Sequence, residues 1–147
     1  VKIPVINSKG KFMGKVIKDL NRMGIKLNIT AVYSHQQTKK IISCIDKKTK
    51  VIISIFVGRA SDLGNDPIPQ IKKSIKLSKK LKNVEILWAS VREPYNYIHC
   101  RQLGCHIITV PPAIIEKIEN FGKSFQTLSE KTVKTFLIDS KKSKFKI

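Results

Sequence analysis

The sequence predicts an α/β fold, about five parallel βα units followed by a C-terminal helix, arranged as part of a (β/α)8 TIM barrel. Three observations carry that reading. Short β-branched apolar runs alternate with helical patterns along the whole chain. Candidate strands start about every 22 to 33 residues, the spacing of successive βα units. Polar residues sit near the C-terminal ends of those strands, whereas a flat sheet covered by helices is apolar on both faces. An open doubly wound sheet shares the first two features, and the third favours the barrel, whose chemistry collects at the strand C-termini. The 147 residues read as one domain, 1–147, large enough for a real core.

The candidate strands are "KIPVI", "LNITAV", "VIISIF", "VEILWA" and "HIITV". Between the first two, Phe12, Val16, Ile17, Leu20 and Met23 fall near a 3.6-residue period and predict a helix that Gly24 ends. The next helix opens at Ser34 with Gln37 three residues on, a capping box, and carries Ile41, Ile42 and Ile45 inward. A third has Asp66 as N-cap and Pro67 at the first helical position, followed by Ile71, Ile75 and Leu81. A shorter helix follows Pro94 and stops at Gly104. The tail opens "TLSE", a second capping box from Thr127 to Glu130, and is expected to bury Val133, Phe136 and Leu137.

Charge narrows the function classes less than it first suggests. The net charge is +19, yet only Arg22, Arg59, Arg92 and Arg101 of the 29 basic residues are arginines. Base and phosphate recognition leans on arginine forks, and these lysines are spread along every candidate helix. The expectation is a solvated lysine surface with no nucleic-acid role. No run reaches the ~18 apolar residues of a membrane span, and no secretory signal is legible. Three cysteines, Cys44, Cys100 and Cys105, suit free thiols in a reducing cytoplasm.

Two strand ends carry arginine: "VIISIF" runs into Val57-Gly58-Arg59, and "VEILWA" into Ser90-Val91-Arg92. Two guanidinium forks and a hydroxyl at neighbouring strand ends suit a phosphate, which arginine binds bidentately without a metal. Gly58 lets the backbone come close. Alternatively each arginine pairs with a surface carboxylate such as Asp62 or Glu93. Lys2, inside an apolar strand, becomes a carbonyl nucleophile if desolvation strips its proton, and otherwise snorkels to solvent. In "HCRQLGCH" the ligand types of His99, Cys100, Cys105 and His106 suit zinc, but the spacing fits no standard site. Cys100 and Cys105 read as small core residues, and no metal is expected. No dinucleotide or P-loop glycine motif is present.

Taken in order, "VKIPV", "GIKLNITAVYS", "ISIFVGR", "LWASVREP" and "GCHIITVPP" resemble the transaldolase and fructose-6-phosphate aldolase family, from the first residue to about Phe136. The resemblance implies a (β/α)8 barrel that transfers a dihydroxyacetone unit between sugar phosphates through a lysine Schiff base, with no cofactor. Sedoheptulose 7-phosphate and fructose 6-phosphate are the implied donors, in the pentose phosphate part of carbohydrate metabolism. Lys2 falls on the Schiff-base lysine of the fourth barrel strand. Asn28, Thr30, Ser54 and Phe56 fall on substrate-lining positions, although Ile55 replaces the proline of the transaldolase "SPF". Arg59, Ser90 and Arg92 match the groups that hold the substrate phosphate.

If Lys2 lies on the fourth strand, three βα units precede it in the family, roughly 75 residues by barrel arithmetic, together with their acid–base residues. The 147 residues alone are therefore expected to be inactive. Fructose-6-phosphate aldolases carry a proton-donating tyrosine where this chain has Phe56, which favours transaldolase. Aldolase activity and a non-catalytic phosphosugar-binding or basic domain stay as alternatives, and homo-oligomerisation is left open.

Overall fold

The structure, a computed structural model, describes residues 1–143. Five strands form one parallel sheet in the order of the chain: β1 (Lys2–Pro4), β2 (Leu27–Val32), β3 (Val51–Phe56), β4 (Val84–Ala89) and β5 (Ile107–Ile108). β2, β3 and β4 coincide with the runs read from the sequence. β1 and β5 are shorter. Val5 N still donates to the Thr30 carbonyl at 2.9 Å, and Ile6 then bridges antiparallel to Phe12. A parallel pair needs a crossover, and right-handed crossovers between sequential neighbours put the returning segments on one face. The strand order is thus that of a barrel wall, with the sheet not closed.

The helices are α1 (Gly14–Arg22), α2 (His35–Ile42), α3 (Val57–Asp62), α4 (Ile68–Ser78), α5 (Tyr95–Gln102), α6 (Pro112–Ile118) and α7 (Phe125–Ser143). The capping box of α2 is present: Ser34 Oγ accepts from Gln37 N, and Gln37 Oε1 accepts from Ser34 N. α4 begins one residue later than expected, with Pro67 as N-cap and the Asp66 carboxylate accepting from Ile68 N at 2.9 Å. None of the helices of the described residues is long and apolar enough to cross a membrane.

The core lies between the sheet and α1, α2 and α4. Ile17, Ile29, Ile41, Ile53, Ile71, Ile86 and Trp88 are fully buried. On α1 the inward stripe is Ile17 with Asn21, while Val16 and Met23, expected inside, are exposed. Asn21 is buried because its Oδ1 accepts from Asp46 N at 2.7 Å, tying α1 to the loop before β3. Asn83 secures the same loop from the other side, donating to the carbonyls of Asp46 and Thr49.

The tail departs most from expectation. α7 starts at Phe125, ahead of the predicted Thr127, with Ser124 Oγ accepting from Thr127 N. Val133, Phe136 and Leu137 are exposed, and α7 has no buried residue. Its periodicity is helical, but no element of the described residues covers its apolar side.

This division predicts unequal mutational costs. Ile53→Ala should destabilise the chain by about 2–5 kcal/mol, the cost of truncating a fully buried side chain. Phe136→Ala, 64% exposed, should change stability by no more than about 0.5 kcal/mol. Urea midpoints of both variants check this.

Candidate functional site

Parallel register aligns the strands so that their C-terminal ends share one edge. Lys2 stands beside Asn28, Ser54 beside Leu87, and Phe56 beside Ala89. Side chains alternate along a strand, so Asn28, Ser54, Phe56, Leu87 and Ala89 face away from the helices, on the side that a closed barrel would enclose. A cleft of about 480 Å³ opens there, and all eight residues singled out in the sequence line it: Lys2, Asn28, Thr30, Ser54, Phe56, Arg59, Ser90 and Arg92.

The polar floor is partly self-paired. Ser54 Oγ donates to Asn28 Oδ1 at 2.7 Å across β2 and β3, which fixes the amide orientation. Thr30 Oγ1 is buried and has no hydrogen-bond partner among the described residues. A buried hydroxyl is normally satisfied, so Thr30 Oγ1 is an exception in the floor of the cleft. Just beyond it, Ala31 has φ 57°, where the β2–β3 register shifts between Ile29 and Val32.

The arginine-bearing end of the cleft forms where β3 and β4 run out. Arg59 lies in the first turn of α3, one turn beyond the strand end on which the sequence placed it. Its guanidinium sits over the Phe56 ring at 5.2 Å, a cation–π contact that holds it at the cleft. Ser90 takes φ 63°, a left-handed conformation disfavoured for a residue with a Cβ. Gly58 explains how that turn is accommodated. A Cβ on Gly58 would lie 1.7 Å from the Ser90 carbonyl oxygen and 2.6 Å from Arg92 Cγ. The segments that follow β3 and β4 therefore meet in close contact at Gly58.

Arg92 is not free. Its Nε and Nη2 donate to Asp62 Oδ2 at 3.0 and 2.7 Å, with both side chains about half-exposed. This is the pairing weighed against phosphate in the sequence, and at such exposure it contributes no more than about 1 kcal/mol. A dianionic ligand could displace it. The Asn96 amide oxygen accepts from Arg92 N and so fixes the start of the loop.

Lys2 lines the cleft but takes the solvent-facing one of its two sequence readings: it is exposed, because β1 is an edge strand with β2 on one side only. Leu87, Ala89, Val91, Thr109, Val110 and Pro111 complete the cleft. Their strand-end positions were legible, but no charge or nucleophile marked them.

His99, Cys100, Cys105 and His106 lie away from the cleft. Cys100 is buried, and Cys105 Sγ donates to the Ile86 carbonyl at 3.3 Å. Hydrogen bonding from Cys105 holds the Cys100 thiol below its usual pKa, while the same contact and burial push Cys105 up. His106 Nδ1 accepts from Ile86 N at 3.1 Å. Among the described residues no group of three or more His, Cys, Asp or Glu could hold a metal.

Gly58→Ala should lower stability by about 1–3 kcal/mol through overpacking and shift Ser90 and Arg92. Chemical denaturation reports the first effect. Loss of inorganic phosphate binding to the same variant reports the second.

The transaldolase/fructose-6-phosphate aldolase family model matches residues 1–147. The chain is 29% identical over 126 residues to a probable transaldolase of Herpetosiphon aurantiacus, covering 85% of this chain and 53% of that protein. It is 33% identical over 125 residues to one of Nitrosopumilus maritimus, covering 76% and 54%. A Clostridium kluyveri relative of the same name is 31% identical over 129 residues, covering 80% and 58%. The chain thus spans a little over half the length of the curated relatives it matches. With a sequentially ordered parallel sheet and a polar cleft at its C-terminal edge, the chain belongs to the transaldolase/fructose-6-phosphate aldolase family.

Proposed function

We propose that this chain supplies the Schiff-base lysine and the phosphate-binding half of a transaldolase acting on ketose phosphates. The observation that carries the reading is that a lysine, a row of hydroxyl and amide groups, and two arginines line one cleft in that order. Donors named in the family reading, sedoheptulose 7-phosphate and fructose 6-phosphate, have the matching layout: a ketone, hydroxyl-bearing carbons, and a terminal phosphate.

The Lys2 amine attacks the ketone carbon, and water leaves to give an iminium. That cation accepts the electron pair of the C3–C4 bond, so an aldose phosphate departs and an enamine stays on Lys2. Attack of the enamine on an acceptor aldehyde, followed by hydrolysis of the new iminium, returns the free amine. Asn28, Thr30 and Ser54 bind hydroxyls of the bound fragment, and Arg59, Ser90 and Arg92 hold the phosphate and so fix the reacting carbons.

Two features place limits on the isolated residues. Only a neutral amine attacks, and covering the free edge of β1 would desolvate Lys2 and favour that form. Proton transfer at C4 needs a positioned acid–base group, worth about 10²–10⁴-fold, and Lys2, Asn28, Thr30 and Ser54 provide none. The whole reaction therefore belongs to a protein in which further barrel strands adjoin β1. Phe56 carries no hydroxyl, and Tyr33, whose ring packs on it at 5.9 Å, does not line the cleft. Transfer to an acceptor is favoured over free aldol cleavage on that ground.

In a protein carrying the complete barrel, borohydride with fructose 6-phosphate should trap an adduct on Lys2, located by peptide mass spectrometry, and Lys2→Ala should abolish it. An adduct on another lysine contradicts the assignment.

Arg59→Ala and Arg92→Ala should each weaken phosphorylated donors by about 1.5–3 kcal/mol, the scale of a charge-assisted hydrogen bond. Arg92→Ala should fall at the low end, because phosphate must first displace Asp62. Neither should matter much for unphosphorylated dihydroxyacetone. Steady-state kinetics on both substrates separates phosphate binding from a structural role.

A further inference from the structure

The lysines that look dispersed in the sequence are gathered by the fold. Ser34 to Ile45 and Pro67 to Lys82, the segments carrying α2 and α4, contain eight lysines and no acidic residue. At the chain's overall 29 basic to 10 acidic residues, eight basic residues would be accompanied by about three acidic ones. The flanking carboxylates are otherwise engaged: Asp46 accepts from the backbone N–H groups of Lys48 and Thr49, and Asp66 from that of Ile68. Among the described residues none of the eight lysines forms an ion pair.

α2 and α4 pack side by side through small polar groups. Thr38 Oγ1 and Ser74 Oγ, both on fully buried residues, are 2.9 Å apart. His35 donates from its backbone N and from Nδ1 to Gln70 Oε1, at 3.1 and 2.8 Å. These links hold open a groove of about 430 Å³ on the outer face, away from the catalytic-type cleft, lined by His35, Lys39, Lys73, Lys76, Leu77 and Lys80. Lys73 and Lys76 lie three residues apart on one face of α4, and Lys80, in the turn just past its C-cap Lys79, extends the lysine lining of the groove.

We propose that this groove binds a linear polyphosphate, with the ammonium groups meeting successive phosphates along the chain. Lysine acts toward phosphate as a point charge, without the planar geometry an arginine fork imposes. The lining includes no arginine and no Phe, Tyr or Trp on which bases could stack, which is the usual basis of single-strand nucleic-acid affinity. No large apolar side chain of α2 or α4 is exposed for insertion into a bilayer. What remains is a groove whose recognition feature is closely spaced positive charge.

Fluorescence-competition titrations of the 147-residue chain with inorganic polyphosphate, over a range of salt concentrations, test the proposal. A variant with Lys39, Lys73, Lys76 and Lys80 all changed to Gln should bind at least tenfold more weakly. Its slope of log affinity against log salt should be shallower by about 0.7 per lysine, the scale for single-stranded nucleic acids. A charge-matched control, with Lys9, Lys11, Lys18 and Lys117 changed to Gln, should keep most of the affinity. All eight lysines are exposed, and thermal melts verify that both variants fold. Equal losses in the two variants would reduce the effect to net charge and overturn the proposal, as would failure of the parent chain to bind. A thymidine oligonucleotide that binds as tightly per phosphate would reassign the groove to nucleic acid, and anionic vesicles that compete better would reassign it to a membrane surface.

Discussion

The parallel hydrogen-bond ladder between sequential strands is the constraint on which the rest of this structure depends. Because β1 to β5 all run the same way, each return must pass over the sheet, and right-handed crossovers place every return on one face. One side of the sheet is then packed against helices. The other is free to carry Lys2, Asn28, Ser54 and Phe56 without conflict with the core. The same ladder puts all five C-terminal ends on one edge, so residues more than thirty positions apart, such as Arg59 and Arg92, come together without any long-range signal between them.

Local conformation then serves that edge at some cost. Ser90 in the left-handed region and Ala31 at a bulge are both disfavoured backbone states, of the order of 1–3 kcal/mol each. They occur on β2 and just after β4, the strands on either side of β3, at or beside residues that line the cleft. Gly58 allows the Ser90 turn to approach, since any side chain there would occupy the position of a carbonyl oxygen. The Arg92–Asp62 pair keeps one guanidinium extended along the mouth of the cleft, at little net cost to stability because both groups stay hydrated.

The free edge of β1 and the bare apolar side of α7 share a physical cause. An edge strand leaves half of its backbone groups and the flank of its side chains to solvent, and Lys2 is exposed for that reason. α7 is helical by its own periodicity, but periodicity sets only which side chains share a face. Whether that face is covered depends on what packs there. Sequence patterning predicted burial for Val133, Phe136 and Leu137 because an apolar stripe normally finds a partner, and in residues 1–143 none is provided.

The sequence by itself determined the order of the strands, the capping box of α2, and eight of the residues that meet in the cleft. These follow from local rules: β-branched runs, N-cap side chains, and polar residues at strand ends. The bounds of β2, β3 and β4 could be read to the residue because their apolar runs end in abrupt changes of residue type. Only the tertiary structure decided that Arg59 stands on a helical turn over Phe56, that Arg92 is engaged by Asp62, and that Lys2 lies open. It also decided that lysines of two separate helices share one groove. Each of these depends on distances between elements, fixed by register and by small groups such as Gly58, Thr38 and Ser74, and no one-dimensional pattern encodes those distances.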